Sequence, residues 1–247
     1  MSTPTDIVTV ATWNIHKGVR GIGPRRRLEI HDMVHAVETF DADIVCLQEV
    51  RSHHHKEQAY FTRWPDLPQA DYLAPEGYEA VYRSNAFTRH GEHGNALLSR
   101  WPIASVAHED MSDHRFEQRG LLHSVAHVHG ADLHVIVLHL GLIAASRGRQ
   151  LAQLAQYIVR EIPDNVPLIV AGDFNDWGET LHRPMRHIGL HTFEAQRLAT
   201  FPSRTPLLHL DRVYVRGLRL LSAQVPHGRT WVRMSDHLPL IAQLGLE

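Results

Sequence analysis

The sequence predicts an α/β protein folded as one domain, on three observations. Short apolar runs rich in β-branched residues recur along the 247 residues, two helical periodicities interrupt them, and no Pro/Gly/Ser linker or composition shift divides the chain. Residues 1–247 therefore read as a single domain with a core from about 7 to 244. Apolar residues make up 43% and charged residues 21%, the balance of a globular chain rather than a disordered one. A formal net charge of −2 supplies no general basic field, so any contact with nucleic acid has to be local.

The strands read in order as "DIVTVATWN", "ADIVCLQEV", "GYEAVYR", "GNALLSR", "LLHSVAHVH", "DLHVIVLHL", "PLIVAGDFN", "LDRVYVRG" and "LPLIAQL". Each has strand length and is bounded by turn-forming or charged residues. A helix is expected over residues 25–39, where Ile30, Met33, Val34 and Val37 recur at helical spacing behind Pro24. A second is expected over 147–162, carried by Leu151, Leu154, Ala155, Ile158 and Val159 and stopped by Pro163. The single cysteine, Cys46, lies inside an apolar run; it excludes an internal disulfide framework and reads as an inert core residue. No run reaches the length of a membrane span and the N-terminus lacks the basic-then-apolar order of a signal peptide, so the expectation is a cytoplasmic protein without stable membrane insertion. Nothing in the sequence calls for an obligate protein partner.

A repeat matters more than any single run. Val8 to Val50 reads strand, polar tip, loop, helix, strand, polar tip, and Leu133 to Asp176 repeats that order. Four strands thus end in polar tips, "TWNIH", "LQEV", "LHLG" and "GDFND". Where helices cover a sheet, sites form beyond the strand ends, so the four tips are placed to converge on one rim. Asn14 and Glu49 offer an amide oxygen and a carboxylate, a partial shell suited to Mg²⁺; taken alone they read first as a turn cap and a surface acid. Asp211 sits inside an apolar strand, which is costly unless it is paired, and an imidazole such as His237 of "MSDHLPL" is a natural partner. His139 ends its strand and would face the same rim as Asn14.

These residues carry a resemblance. "ATWNIHKG", "DADIVCLQEV", "HGNALLSR", "LHLG", "AGDFND", "LDRVYV" and "SDHLPL", in this order, resemble the endonuclease/exonuclease/phosphatase superfamily of DNase I-like proteins over nearly the whole chain. The resemblance implies a four-layered α/β sandwich, with two mixed sheets face to face and helices outside. It implies Mg²⁺ as cofactor, with Mn²⁺ as an alternative, held by Glu49 with help from Asn14 and with Asp236 nearby. It implies that Asp173 orients or deprotonates the attacking water, that Asn175 and His139 bind phosphate, and that His237 stabilises developing charge with Asp211 as its carboxylate. Asn95 and Arg149 would bind substrate, while Gln48 and Ser235 would support the ligands. The chemistry agrees: a phosphodiester repels an attacking hydroxide unless a cation, an imidazolium and amide donors offset its charge.

His16 departs from the acid that apurinic-site endonucleases carry two residues after the Asn, which weakens a repair role. "GDFND" alone would also suit a calcineurin-like phosphoesterase, but the Gly-Asn-His that such enzymes carry is missing. The expected function is a divalent-metal-dependent phosphoesterase, first a phosphodiesterase or nuclease. A phospholipid head-group or small phosphate-ester hydrolase is the second reading, and a non-catalytic binding module the third. The loops stay open: "HHH" at 53–55 as a Zn²⁺ site or a polar loop, Arg25, Arg26 and Arg27 as a phosphate patch or a solvated face. Arg147, Arg149 and Gln150 fall near the rim in sequence; Tyr60, Phe61, Trp64, Tyr72 and Tyr78 read as a stacking platform or as packing of an insertion.

Overall fold

Side chains along Ile7–Asn14, strand β1 of the computed structural model, alternate between two apolar layers. Val8 and Val10 enter one cluster of buried side chains, Ala11 and Trp13 another. That alternation, the period of two inherent to a strand, sets the architecture. The structure describes residues 7–21 and 23–246. After β1 come Val19–Arg20 (β2), Arg27–Leu28 (β3), helix Ile30–Phe40 (α1), Ile44–Val50 (β4) and the short helices His55–Tyr60 (α2) and Gln69–Leu73 (α3). Strands Glu79–Thr88 (β5), Gly91–Ser99 (β6), Ile103–Asp110 (β7), Gly120–Val128 (β8) and Ala131–His139 (β9) lead to the long helix Ala144–Glu161 (α4). Leu168–Asp173 (β10), helix His182–His187 (α5), Asp211–Arg216 (β11), Leu218–Gln224 (β12), helix Trp231–Met234 (α6) and Leu240–Leu246 (β13) complete the chain.

Two mixed sheets result. One runs β12-β13-β1-β4-β6-β5 and the other β11-β10-β9-β8-β7, and each contains one parallel pair, β1/β4 or β9/β10. These pairs are the two halves of the repeat seen in the sequence, each closed by a helix, α1 or α4. Val8, Val10, Ile44, Cys46 and Leu97 of the first sheet meet Leu122, Val135, Val137, Ile169 and Val213 of the second in one central cluster. The opposite face of the first sheet packs on Ile30, Met33, Val37 and Phe40 of α1; that of the second packs on Leu151, Leu154 and Ile158 of α4. Helix, sheet, sheet, helix is the four-layered sandwich expected. Burying each such side chain contributes about 1.5–3 kcal/mol, so the sheets cannot part without losing the central layer.

Three local expectations change. The first helix begins at Ile30 rather than residue 25, because Arg27–Leu28 pairs with Val19–Arg20 as a small ladder and Glu29 donates its backbone N–H to Gly18 O. The second covers Ala144–Glu161 and still ends before Pro163. Strands β7 and β12 were not anticipated. Both are sheet edges, half open to solvent, and lack the apolar alternation that marks a central strand. Burial among hydrocarbon pushes the Cys46 thiol up, as an inert core cysteine requires. No helix among the described residues is long and apolar enough to cross a membrane.

Candidate active site

The polar tips are the inner faces of the strands running out of apolar residues. Val8 and Val10 are followed on the same face by Thr12 and Asn14, Ile44 and Cys46 by Gln48, Val135 and Val137 by His139, and Ile169 and Ala171 by Asp173. Strand β11 enters from this end, with Asp211 before Val213 and Val215. Register then fixes the neighbours: Asp173 stands opposite His139 on one side and Asp211 on the other, while Asn14 stands opposite Gln48 in the first sheet. A core strand ends in polar groups because the layer between the sheets ends in a site.

On the second sheet the groups form a dry, linked row. His237 Nδ1 donates to Asp211 Oδ2 at 2.8 Å, and its Nε2 lies 3.6 Å from Asp173 Oδ2. His139 Nε2 is 3.5 Å from that same oxygen. Asn14 Nδ2 crosses from the first sheet to donate to Asp173 Oδ2 at 3.1 Å, and the Asn175 backbone N–H donates to Oδ1 at 3.0 Å. Asn175 reaches this position with φ +48°, a conformation Asn tolerates better than most residues, and its Nδ2 donates to Leu140 O. Thr200 Oγ1–H donates to Asp211 Oδ2 at 2.5 Å, whereas Asp211 Oδ1 is buried without a partner. His237 is held from the first sheet, since Trp13 Nε1–H donates to its carbonyl at 3.0 Å and Ser235 Oγ–H, two residues before it, donates to Asn14 O at 2.7 Å.

The charges follow from this burial. Burial alone would depress His237, but Asp211 and Asp173 outweigh it and raise the imidazole to about 10, so it stands as a cation. His139 goes the other way: burial, reinforced by the nearby Arg119 guanidinium, holds it well below the usual range and therefore neutral. Asp173 is raised by burial and by Asp211 against the pull of His237, which makes it a better proton acceptor than an exposed carboxylate.

The first-sheet side is more open and rich in oxygen. Glu49 sits at φ +56°, where the pairing of β4 with β6 shifts register between Leu47 and Val50, and this bulge turns its carboxylate out of the strand. Lys17 Nζ bonds Glu49 Oε2. Burial would raise Glu49, yet the Lys17 ammonium, by its charge and its hydrogen bond, holds it far below the usual carboxylate range. Asp236 is likewise kept low against its burial by His16, whose Nδ1 lies 3.2 Å from Oδ1. Asn14 Oδ1 accepts from the His16 backbone N–H, and the neighbouring Gln48 Oε1 is buried with no donor. Ionised Glu49 and Asp236 with amide oxygens form a hard donor set that fits Mg²⁺ or Mn²⁺, and the Lys17 ammonium already shows that Glu49 accepts a positive charge there. Asp173, Asp211 and His237 are the one group of three potential ligands within 4.8 Å of one another among the described residues. Asp211 and His237 are already bonded to each other, and Asp173 accepts from Asn14 and Asn175.

Other expected residues lie elsewhere. Asn95 is fully buried and donates both amide hydrogens across the sandwich, to Gly120 O at 3.0 Å and Val137 O at 3.1 Å, so it bolts the sheets together and presents no donor to a substrate. Arg149 lies against Asp113 at 2.5 and 2.7 Å, and this is its one partner among the described residues. Arg147 and Gln150 are buried behind the "HLGL" loop and bond its backbone at Gly141 and Leu142. Within "HHH" the His54 ring turns away to cap α2 through the Glu57 N–H, while His53 leans on Glu92 and lies 5.5 Å from the His55 ring. Tyr60 lies under Arg26, Phe61 stacks on Trp64, Tyr72 meets His31 and Tyr78 bonds Ala42 O, which is the packing of an insertion. Sequence reasoning missed Thr200, Lys17 and Arg119, and it missed an aromatic lip in which Phe201 lies 4.9 Å from the His237 ring and half-exposed Trp177 lies 5.9 Å from Phe201. Lys17 stood inside the "NIHKG" motif; Thr200 and Phe201 lie in a loop with no pattern to find them by.

Comparison with known proteins agrees with this geometry. YbhP of Escherichia coli K12, an uncharacterized protein, is 40% identical over 245 residues, covering 96% of each chain. The crystal structure of a conserved protein of unknown function from Enterococcus faecalis V583 superposes with a TM-score of 0.77 at 20% identity, covering 97% of this chain and 100% of that one. The mannosyl-6-phosphatase Bt3783 of Bacteroides thetaiotaomicron superposes with a TM-score of 0.70 at 18% identity, covering 96% and 99%. Residues 11–237, a span that takes in every polar tip from Asn14 to His237, match the Endonuclease/Exonuclease/phosphatase family, and the chain belongs to that family.

Proposed function

We propose that the protein is a divalent-metal-dependent phosphodiesterase of the nuclease type, with Mg²⁺, or Mn²⁺ in its place, as cofactor. The observation that carries this reading is the cationic His237 fixed between Asp211 and Asp173, beside a separate oxygen-rich group of Glu49, Asp236 and Asn14. A bound cation would offset the charge of the phosphate and lower the cost of bringing an anionic nucleophile to it.

The chain's own residues do the rest. Asp173, its two oxygens steadied by Asn14 and Asn175, accepts a proton from water as the new O–P bond forms and the bond to the leaving oxygen breaks. His237 presents Nε2–H to a phosphoryl oxygen while Asp211 fixes its other nitrogen, and neutral His139 adds a second donor from the same side. Asn175 keeps one amide hydrogen free of Leu140 for the phosphate. Phe201 and Trp177 form an apolar lip next to His237 that suits a planar group on the ester. The fold leaves the ester open, since it is shared with the mannosyl-6-phosphatase and with ANGEL2, a 2',3'-cyclic phosphatase that superposes with a TM-score of 0.68.

The test is product release from bis-p-nitrophenyl phosphate, p-nitrophenyl phosphate, plasmid DNA, single-stranded DNA, RNA and phospholipid vesicles, each with Mg²⁺, Mn²⁺ or EDTA. Metal-dependent hydrolysis of diesters that disappears in His237→Ala is expected. Near-normal turnover in His237→Ala, or turnover that survives EDTA, would sink the assignment, and a preference for the monoester would move it to a phosphatase.

A further inference from the structure

Beside the catalytic rim lies a cleft of about 510 Å³ lined mainly by arginine side chains. Arg20, Arg25, Arg27, Arg204 and Arg233 line it, together with Gly21 and Val232, and no acidic residue among the described residues does. Four separate segments supply these side chains: β2, the turn and ladder after it, the loop that carries Phe201, and α6. None of the five has an ion-pair partner among the described residues. Their neighbour Arg26 shows the alternative, turning away to Glu57 and lying over Tyr60. Glu29 lies within electrostatic reach of Arg20, Arg27 and Arg233, and Asp236 shares the adjoining cavity with Arg20 and Arg204; the five arginines outnumber both acids. Like charges gathered in a concave surface repel one another in the free protein, and an anion relieves that repulsion.

The cleft also has an address. Arg20 and Arg204 are shared with an adjoining cavity of about 260 Å³, whose other walls include Ser203, Ser235 and Asp236. Ser235 is bonded to Asn14 O and Asp236 precedes His237, so this second cavity opens onto the site where the scissile phosphate would lie. The two cavities thus share the Arg20 and Arg204 walls, and the second reaches Ser235 and Asp236, next to His237 in sequence.

We propose that the arginine cleft is a subsite for a second phosphate group of the substrate, so that the enzyme prefers esters carrying at least two phosphates, one among Asp173, His139 and His237 and one among the arginines. The proposal rests on the phosphodiesterase reading and deepens it. Arginine forks match phosphate oxygens in pairs, and a bidentate contact is a charge-assisted bond that fixes orientation as well as charge. The same chemistry is offered by the next phosphodiester of a nucleotide chain and by the far phosphate of a small bisphosphorylated ester.

The deciding experiment is calorimetric titration in EDTA of the full chain with thymidine 3',5'-bisphosphate and with thymidine 5'-monophosphate. It is run on the wild type, on Arg25→Ala/Arg27→Ala and on Arg204→Ala/Arg233→Ala. The bisphosphate is expected to bind about tenfold more tightly than the monophosphate to the wild type, and less than about twofold more tightly to either variant. No advantage for the bisphosphate, or an advantage that both variants keep, would overturn the subsite. Because the readout is a ratio between two ligands on one protein, a general loss of folded protein cannot imitate the result. In parallel, with Mg²⁺, the ratio of kcat/KM for thymidine 3'-phosphate 5'-(p-nitrophenyl phosphate) over thymidine 5'-(p-nitrophenyl phosphate) should exceed one and fall in the variants. If neither ester is hydrolysed while the binding advantage and its loss persist, the catalytic reading fails and the anion subsite stands. If both are hydrolysed at equal efficiency, the catalytic reading stands and the subsite fails. A 5'-phosphorylated trinucleotide that binds more tightly than the bisphosphate assigns the second phosphate to a nucleic-acid chain, and equal binding assigns it to a small ester.

Discussion

The two sheets meet at the site with opposite electrostatic habits. On the second sheet His139, Asp173 and Asp211 are buried side by side, Asp211 bonded to His237 and Asp173 within 3.6 Å of both imidazoles, and the ionisation of His139, Asp173 and His237 is displaced from its ordinary range. On the first sheet Glu49 and Asp236 remain ionised and each is matched by a cationic or basic neighbour, Lys17 or His16. The difference is one of solvent and of partners: a dry row tunes protons, while a wetter group keeps fixed negative charge available to a cation. In the proposed function one sheet carries the acid–base work and the other the charge holding, and the crossing bond from Asn14 to Asp173 ties them together.

The division is open to attack by substitution. The largest effect is expected from Asp173→Asn, which keeps shape and removes the proton acceptor: turnover should fall about 10³-fold with an unchanged melting temperature, read by diester hydrolysis and circular dichroism. A loss of only a few-fold would mean that the dry row is not where the proton goes. Next, Glu49→Gln should raise the Mg²⁺ concentration for half-maximal activity by about 10–100-fold, in a metal titration of initial rate. An unchanged metal requirement would place the cation elsewhere. Asp211→Asn should lower kcat by about 10–100-fold, less than His237→Ala, because it releases the ring without removing it; the reverse ranking would give Asp211 chemistry of its own. Thr200→Val removes a hydroxyl bonded to Asp211 and should cost less than about tenfold in kcat.

The smallest expected effect lies outside the site, on the outer face of the second sheet. His123, between Tyr157 and His134, is driven by burial down to about 4. In the unfolded chain it titrates near its ordinary 6.5, so between these values the unfolded state binds more protons and stability must fall as pH drops. Denaturant unfolding from pH 7 to pH 4 should show that slope, and His123→Gln should flatten it. A slope unchanged in the variant would assign the acid sensitivity to other groups.

Central strands were legible from sequence because two buried layers impose a strict alternation, and that same alternation carried the site. Asn14, Gln48, His139 and Asp173 could be placed because each is the next inward position after buried apolar residues. The edge strands β7 and β12 escaped because solvent removes the pattern, and the start of α1 was misplaced because the ladder of Arg20 with Arg27 is non-local. Asn95 and Arg149 have the right chemistry for substrate, but whether a polar side chain meets a ligand or a carbonyl depends on distances a sequence does not hold. The arginine cleft was half visible at residues 25–27; Arg20, Arg204 and Arg233 join it only through folding, while Arg26 leaves it.

Asn95 has a mechanical consequence. One amide of the first sheet is clamped to two carbonyls of the second, at Gly120 and Val137, just two residues below His139 on β9. Sliding one sheet past the other at this end would break both bonds in a dry interior, where neither carbonyl finds water. The clamp acts as a gauge block: it sets the spacing between the row of His139, Asp173 and Asp211 and the group of Glu49 and Asp236 before any ligand arrives, so under the proposed function accommodation of different esters falls to the surrounding loops.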